Sequence, residues 1–157
     1  MRYLGIDPGT TIIGYGIVED VGSSLRPLTW GVFRNPGTDS VADKQATAIA
    51  LADLITSYKP QSAGVERLFF MNNAKTAMAV AEMRGVIMLT LAQHGIPVVE
   101  FTPQQVKRGV CGNGQAKKPQ VQDMVRMLLH IKEKISPDDA ADALALALCC
   151  STARQKY

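Results

Sequence analysis

The chain has 157 residues, of which 46% are hydrophobic and 20% charged, and its formal net charge is +3. This composition excludes an intrinsically disordered chain, a collagen and a coiled coil, and the length predicts a single domain over residues 1–157. The three cysteines lack the spacing of a disulfide framework or a zinc site, the N-terminus lacks the apolar stretch of a signal peptide, and no apolar run is long enough for a membrane span. We therefore expect a cytoplasmic protein that does not associate with a membrane.

Three short strands are predicted in the first 34 residues. Residues 2–6 form the first strand, which ends at Asp7 because Pro8-Gly9 signals a turn. Residues 12–18 and 28–34 form the next two, since both are rich in β-branched and aromatic side chains. The links between them are short and polar, which indicates an antiparallel meander.

Helices and strands alternate after this meander. The first helix extends to about Tyr58, and its predicted core stripe consists of Ala46, Ile49, Ala50 and Leu54. The later elements are a strand at 62–66, a helix at 74–93, a strand at 96–101, a short helix from 102, a loop at 109–119, a helix to about 131 and a final helix with Ser136 as its cap and Pro137 as its first residue. This order predicts an α/β fold with a mixed sheet flanked by helices, and a frayed tail at the C-terminus.

Positive charge is concentrated between residues 104 and 134, where seven basic residues stand against two acidic ones. Such a block is expected of a protein that binds a polyanion such as nucleic acid. A solvated lysine-rich surface would give the same pattern, so charge alone leaves both interpretations open.

Two acidic residues end apolar strands. Asp7 follows the apolar residues of the first strand, and Glu66 follows those at 62–65. Burying a carboxylate without a partner is costly, so each needs hydrogen bonds or a cation. Strand ends are also where α/β folds place ligand sites. The structural alternatives are a turn in which Asp7 accepts the amides of Gly9 and Thr10, and a solvated strand end at Glu66.

The final helix begins with a cluster of acids. Asp138 and Asp139 follow Ser136-Pro137 in the first turn, where a cap, a proline and acids are all favoured. Asp142 lies a turn further in, before the Ala-Leu repeat of residues 143–148. It shares a face with Asp139 and also with Asp138, and like charges on an apolar face repel one another unless a cation holds them.

The acids of these three segments predict a divalent-metal site. Ligands that are all oxygen atoms favour a hard cation, Mg²⁺ or Mn²⁺. Two such ions about 3.5–4 Å apart can activate a water molecule and stabilise the leaving oxygen in phosphoryl hydrolysis. Together with the basic block, the acids indicate hydrolysis of a nucleic acid.

Four segments in order carry a family pattern. They are LGIDPGTTIIGYGIV at 4–18, GVERLFFMNNAKTAMAVAEMRGV at 64–86, VKRGVCGNGQAKKPQVQDMV at 106–125 and DAADALALAL at 139–148. Over nearly its whole length the chain resembles the RuvC family of bacterial Holliday-junction resolvases. The resemblance implies a ribonuclease H-like fold with a mixed five-stranded sheet, a homodimer, and a branch-migration complex as partner. It also implies paired nicking of four-way DNA junctions in recombination and repair, dependent on Mg²⁺ or Mn²⁺ with two ions per active site.

The resemblance also implies roles for individual acids. Carried over by position, the catalytic and metal-binding residues are Asp7, Glu66, Asp139 and Asp142. Asp138 is then a neighbour with a capping or dipole role, although it too shares a face with Asp142.

The same resemblance implies the DNA contacts. Lys107 and Lys118 match family positions, with Lys117 beside them, and Gly112 and Gly114 allow backbone amides to approach phosphate. Pro119 directly after Lys118 departs from the family pattern and changes the expected exit of the loop.

An aromatic residue near Glu66 is expected at the junction centre. Phe69 matches the family position, and Phe70 beside it could take the same role. Such a ring can stack on an unpaired base. A hydrophobic plug beneath the loop is the structural alternative.

The helix at 74–93 resembles the dimer helix of the family. Ala77, Ala81, Gly85 and Met88 recur at helical spacing and permit close packing with a second copy. A buried core helix would show much the same composition.

Two other functions are compatible with parts of the sequence. The DPGTT segment at residues 7–11 is similar to the phosphate hairpin of actin-like ATPases and sugar kinases, but those proteins need two such domains around a cleft. A catalytically inactive junction-binding scaffold would be expected to lack one of the four acids, all of which are present.

Overall fold

A computed structural model of the chain describes residues 1–68 and 74–154. The predicted junction-centre residues Phe69 and Phe70 and the predicted tail at 155–157 lie outside these described residues.

The five described strands form one mixed sheet. Their bounds are β1 (Arg2–Asp7), β2 (Ile12–Asp20), β3 (Leu25–Arg34), β4 (Ser62–Glu66) and β5 (Val98–Phe101). The order across the sheet is β3-β2-β1-β4-β5. The first three strands pair antiparallel, as the meander prediction required, whereas β4 pairs parallel to β1 and β5 pairs parallel to β4.

Helices cover both faces of this sheet. Their bounds are α1 (Ser40–Tyr58), α2 (Ala74–Gln93), α3 (Pro103–Cys111), α4 (Lys118–Leu128) and α5 (Asp138–Arg154). Helices α1 and α2 bury their apolar side chains in a core with one face of the sheet, and α5 lies against the other face together with α3 and α4. The mixed five-stranded sheet flanked by helices confirms the predicted α/β class.

The core face of α1 differs from the predicted stripe. The helix buries Asp43, Thr47, Leu51 and Ile55, whereas Ile49 is 56% exposed. Thr47 is tolerated in the core because its hydroxyl donates to the Asp43 carbonyl and accepts from the Asn35 amide. Of the predicted stripe, Leu54 does pack against the core, whereas Ala46 is exposed like Ile49. The alanine-rich sequence made several faces similarly apolar, so hydrophobic spacing rotated the predicted face.

The ends of three later elements also differ from the prediction. Strand β5 begins at Val98 rather than residue 96, and the loop between α3 and α4 shrinks to residues 112–117. Helix α5 begins at Asp138, two residues after Ser136, so Asp138 and Asp139 form its first turn. Within the described residues, no helix is long and apolar enough to cross a membrane.

Glycines bring α5 unusually close to the sheet. A Cβ atom on Gly5 of β1 would overlap the carbonyl oxygen of Ala143, and one on Gly14 of β2 would overlap that of Asp139. The facing residues of α5 are small as well, since Ala143 and Ala147 are fully buried. Helix and strands therefore meet backbone to backbone.

Replacing Gly5 with alanine should therefore destabilise the fold, because the added methyl group displaces α5. We expect Gly5→Ala to lower the free energy of unfolding by at least about 2–3 kcal/mol in urea titrations followed by circular dichroism. Gly114→Ala is the matched control, since a Cβ atom there meets only ordinary contacts. Equal stability of the two variants would contradict the close-packing argument.

Candidate active site

Strand pairing places Asp7 and Glu66 side by side. Strands β1 and β4 are parallel neighbours with Ile6 opposite Val65, so their carboxyl ends lie at the same edge of the sheet. Side chains alternate between faces along a strand, and two residues before each acid is a glycine that faces α5. Both carboxylates therefore point to the α5 side of the sheet.

Helix α5 brings further acids to the same edge. Its first turns lie over the strand ends, because the Asp139 backbone contacts the position of Gly14 and the Leu146 carbonyl contacts that of Gly64. Asp142 lies between these two contacts and lines a cleft with Asp7 and Glu66. The other lining residues come from the three helices on this face: Pro103, Val106, Lys107, Lys118, Val121 and Leu146.

Burial and mutual repulsion perturb the acids of this cleft. Burial, with the negative charges of Glu66, Asp142 and Asp139, raises the pKa of Asp7 to about 8. Burial and the charge of Asp142 raise the pKa of Glu66 as well. Burial also raises the pKa of Asp142, although its ion pair with Lys118 opposes this shift. The negative charge of these acids exceeds what the nearby Lys118 offsets, and a bound cation would relieve the remaining repulsion.

Two lysines of the predicted DNA-binding set line the cleft, and only one of them, Lys118, is ion-paired with its acids. The ammonium of Lys118 lies 3.0 Å from Oδ2 of Asp142 and 3.6 Å from Oδ2 of Asp138. Lys107 lines the same cleft, but its side chain makes no hydrogen bond or ion pair with any residue that the structure describes.

The remaining predicted residues lie around the cleft rather than in it. Asp139 is half-buried and does not line the cleft, but its charge reaches Asp7. Lys117 is exposed, and its backbone amide donates to Oε1 of Gln120 at the start of α4. Gly114 lies in the α3–α4 loop, close to the Gln104 carbonyl. The side chain of Asp138 is 54% exposed, consistent with its position in the first turn of α5.

The chemistry of the cleft fits a hard divalent cation, but its geometry is not preformed. Three carboxylates converge with no sulfur or imidazole among the lining residues, which suits Mg²⁺ or Mn²⁺. Even so, in the described ranges 1–68 and 74–154 no three acidic, His or Cys side chains are arranged to hold a metal ion. The side chains must rearrange for one to bind.

Sequence reasoning missed Arg84, which holds the strand end that carries Glu66. Its Nε donates to the Glu66 carbonyl at 3.1 Å, and its NH2 group donates to Oε2 of Glu100 at 2.6 Å. Arg84 interrupts an otherwise apolar stretch of α2, and that interruption was the available signal. The apolar walls Val106, Val121 and Leu146 were also missed, because only the tertiary packing of three helices brings them together.

Comparisons with known proteins agree on one family. The family model described as crossover junction endodeoxyribonuclease RuvC matches residues 3–150. The protein of that name from Heliobacterium modesticaldum is 48% identical over 152 residues, covering 96% of this chain and 94% of the relative.

Solved structures give the same result. The Thermus thermophilus RuvC structure has a TM-score of 0.90 and 32% identity, covering 99% of this chain and 97% of the other. T. thermophilus RuvC in complex with Holliday junction substrate also has a TM-score of 0.90, with 28% identity, covering 99% and 96%.

The raised pKa of Asp7 predicts a pH-dependent cost in stability. Between its ordinary pKa of 3.8 and about 8, the folded protein binds a proton that the unfolded chain has lost, so stability falls as pH rises through this window. Asp7→Asn removes this cost. In thermal unfolding with EDTA we expect the variant to exceed wild type at pH 8 by at least about 3 °C, with the gap closing towards pH 4.

Asp53→Asn, an exposed acid on α1, is the control and should track wild type at every pH. A gap between Asp7→Asn and wild type that stays constant from pH 4 to pH 8 would contradict the argument.

Proposed function

The chain belongs to the RuvC family of crossover junction endodeoxyribonucleases, and we propose that its acidic cleft hydrolyses phosphodiester bonds of four-way DNA junctions. The observation that carries the proposal is the convergence of Asp7, Glu66 and Asp142 from β1, β4 and α5 on one cleft that Lys107 and Lys118 also line. The acids suit metal-dependent hydrolysis, and the lysines suit a phosphate substrate.

We infer that Asp7, Glu66 and Asp142, with Asp139 beside them, hold Mg²⁺ or Mn²⁺, two ions per active site. When bound, such ions supply an activated water and stabilise the leaving oxygen. The protein contributes the placement: Asp7 lies at the most buried point, so its carboxylate is the natural shared ligand. Lys107 has no competing partner among the described residues and is therefore available to position the scissile phosphate.

The proposed DNA surface continues from the cleft along α3 and α4. Lys117 is exposed beside Lys118, and Gly114 lies in the loop that joins the two helices. These residues would bind phosphates on either side of the scissile bond. The stacking role of Phe69 or Phe70 at the junction centre remains part of the proposal, supported by their place in the chain after Glu66.

We further propose that the enzyme acts as a homodimer through α2. One side of α2 buries Met83, Ile87 and Leu91 in the core, while Met78 and Leu89 on the other side are 63% and 59% exposed. An exposed apolar stripe of this kind is typical of a protein–protein contact.

The predicted interface residues lie on or beside this stripe. Gly85 is exposed and a Cβ atom there would meet nothing, so it permits close approach of a second helix. Ala77, Ala81 and Met88 are half-buried at the edge of the exposed face. Two-fold symmetry would then present two clefts to opposed strands of a junction.

Three wider inferences accompany this function. Residues 1–157 would form one nuclease domain, and a branch-migration complex would act on the same junctions. The cytoplasm suits the three cysteines, since no disulfide joins any two of Cys111, Cys149 and Cys150.

Loss of one cleft carboxylate should slow cleavage strongly but leave binding intact. We expect Asp142→Asn to lower the rate of cutting an end-labelled four-way junction in Mg²⁺ or Mn²⁺ by at least about 100-fold, because a metal ligand is lost. Junction affinity in EDTA should be retained. Asp53→Asn, on the opposite side of the sheet, is the control and should cut at the wild-type rate.

A linear duplex of the same sequence should remain intact with every variant. If wild type binds the junction tightly but cuts it with neither metal, the scaffold function replaces the nuclease.

Charge on the exposed face of α2 should separate the dimer. We expect Leu89→Lys to convert the protein to a monomer in sedimentation equilibrium and to replace paired cuts by single, uncoordinated nicks. Ile49→Lys places the same charge on an exposed residue of α1 and should leave the dimer intact. A dimer that persists in Leu89→Lys would locate the interface elsewhere.

A further inference from the structure

A positively charged side chain of the protein, Lys118, lies against the acidic cleft. The Lys118 ammonium bridges Oδ2 of Asp142 at 3.0 Å and Oδ2 of Asp138 at 3.6 Å. Its positive charge also reaches Asp7 and Glu66, where it partly offsets the repulsion among the acids. Burial lowers the pKa of Lys118, but the pairing with Asp142 and Asp138 outweighs burial and raises it, so the group stays charged.

The backbone of Lys118 is fixed while its side chain is able to move. Lys118 is the first residue of α4, and the hydrogen bond from the Lys117 amide to Gln120 anchors the helix start. The Lys118 side chain is 53% exposed, so its ammonium can leave Asp142 without disturbing the core.

Lys107 provides the contrast. It lines the same cleft, yet its side chain makes no hydrogen bond or ion pair with the acids or with any other residue in the described ranges. The two lysines are therefore not equivalent: one is held by the carboxylates and the other is free for an incoming phosphate.

We propose that Lys118 is a built-in counter-ion, which occupies the cation position beside Asp142 in the DNA-free enzyme and must be displaced before a divalent metal ion binds there. The proposal rests on the proposed metal-dependent function. It accounts for the lack of any preformed metal-binding group among the described residues. It also couples binding of the metal ion to binding of DNA, because the Lys118 ammonium that leaves Asp142 is then free to bind DNA phosphate.

This coupling has a defined direction. Metal entry releases Lys118 to the phosphate, and phosphate binding withdraws Lys118 from the acid, so each ligand favours the other. The consequence is that, without DNA, Lys118 competes for Asp142 and lowers the affinity for the divalent metal ion.

Metal affinity without DNA tests the proposal directly. Free Mn²⁺ is measured by electron paramagnetic resonance as the full chain is titrated at pH 8. Lys118→Met should bind Mn²⁺ at least about tenfold more tightly than wild type, since a competing charge close to Asp142 is removed. Lys118→Arg keeps the competing charge and should stay close to wild type.

Lys107→Met is the matched control, because it removes the same charge from the same cleft without breaking an ion pair. Its Mn²⁺ affinity should change by less than about threefold. Chemical acylation gives a second readout: Mg²⁺ should increase labelling of Lys118 in wild type, measured by mass spectrometry, relative to exposed Lys134.

The outcomes separate this proposal from the proposed function. If Lys118→Met and wild type bind Mn²⁺ equally, or if Mg²⁺ leaves the labelling of Lys118 unchanged, the counter-ion role is overturned while the metal site stands. If neither protein binds Mn²⁺ with or without junction DNA, the metal-dependent function fails as well.

Discussion

The contact between helix α5 and the sheet is the constraint on which the acidic cleft depends. Gly5 and Gly14 leave no side chain between the strands and the helix, so the α5 backbone rests directly on β1 and β2. A side chain at either position would push α5, and Asp142 with it, away from the strand ends. Close contact places acids from a helix and from two strands in one small cleft, and it explains why small residues line both sides.

This arrangement stores unfavourable electrostatic energy in the acidic cleft. Asp7, Glu66 and Asp142 are all held against their preference for water, and their charges repel one another. The buried core around them compensates, since the central strands and α5 are almost wholly enclosed. Under the proposed function, a bound cation would relieve this repulsion, so a cost to the fold would become a source of binding.

The meeting of Asp7 and Glu66 was predictable because each follows an apolar strand, and ligand sites of α/β folds lie at strand ends. The buried face of α1 was not, since its alanines make several faces equally apolar and Thr47 rather than Ile49 enters the core. The Arg84 contact with the Glu66 carbonyl joins a helix to a strand end, and its partner is a backbone atom that sequence does not distinguish. The spacing of residues in the sequence therefore indicated the acids, but not the contacts that fix their position.

Helix α2 combines an exposed apolar side with a direct contact to the acidic cleft's strand end. Its exposed side carries Met78 and Leu89, and from the same helix Arg84 grips the end of the strand that bears Glu66. In a dimer built on that exposed side, the two packed α2 helices would connect the strand end of one cleft to that of the other. The packing of the two α2 helices would then set the distance between the two cuts.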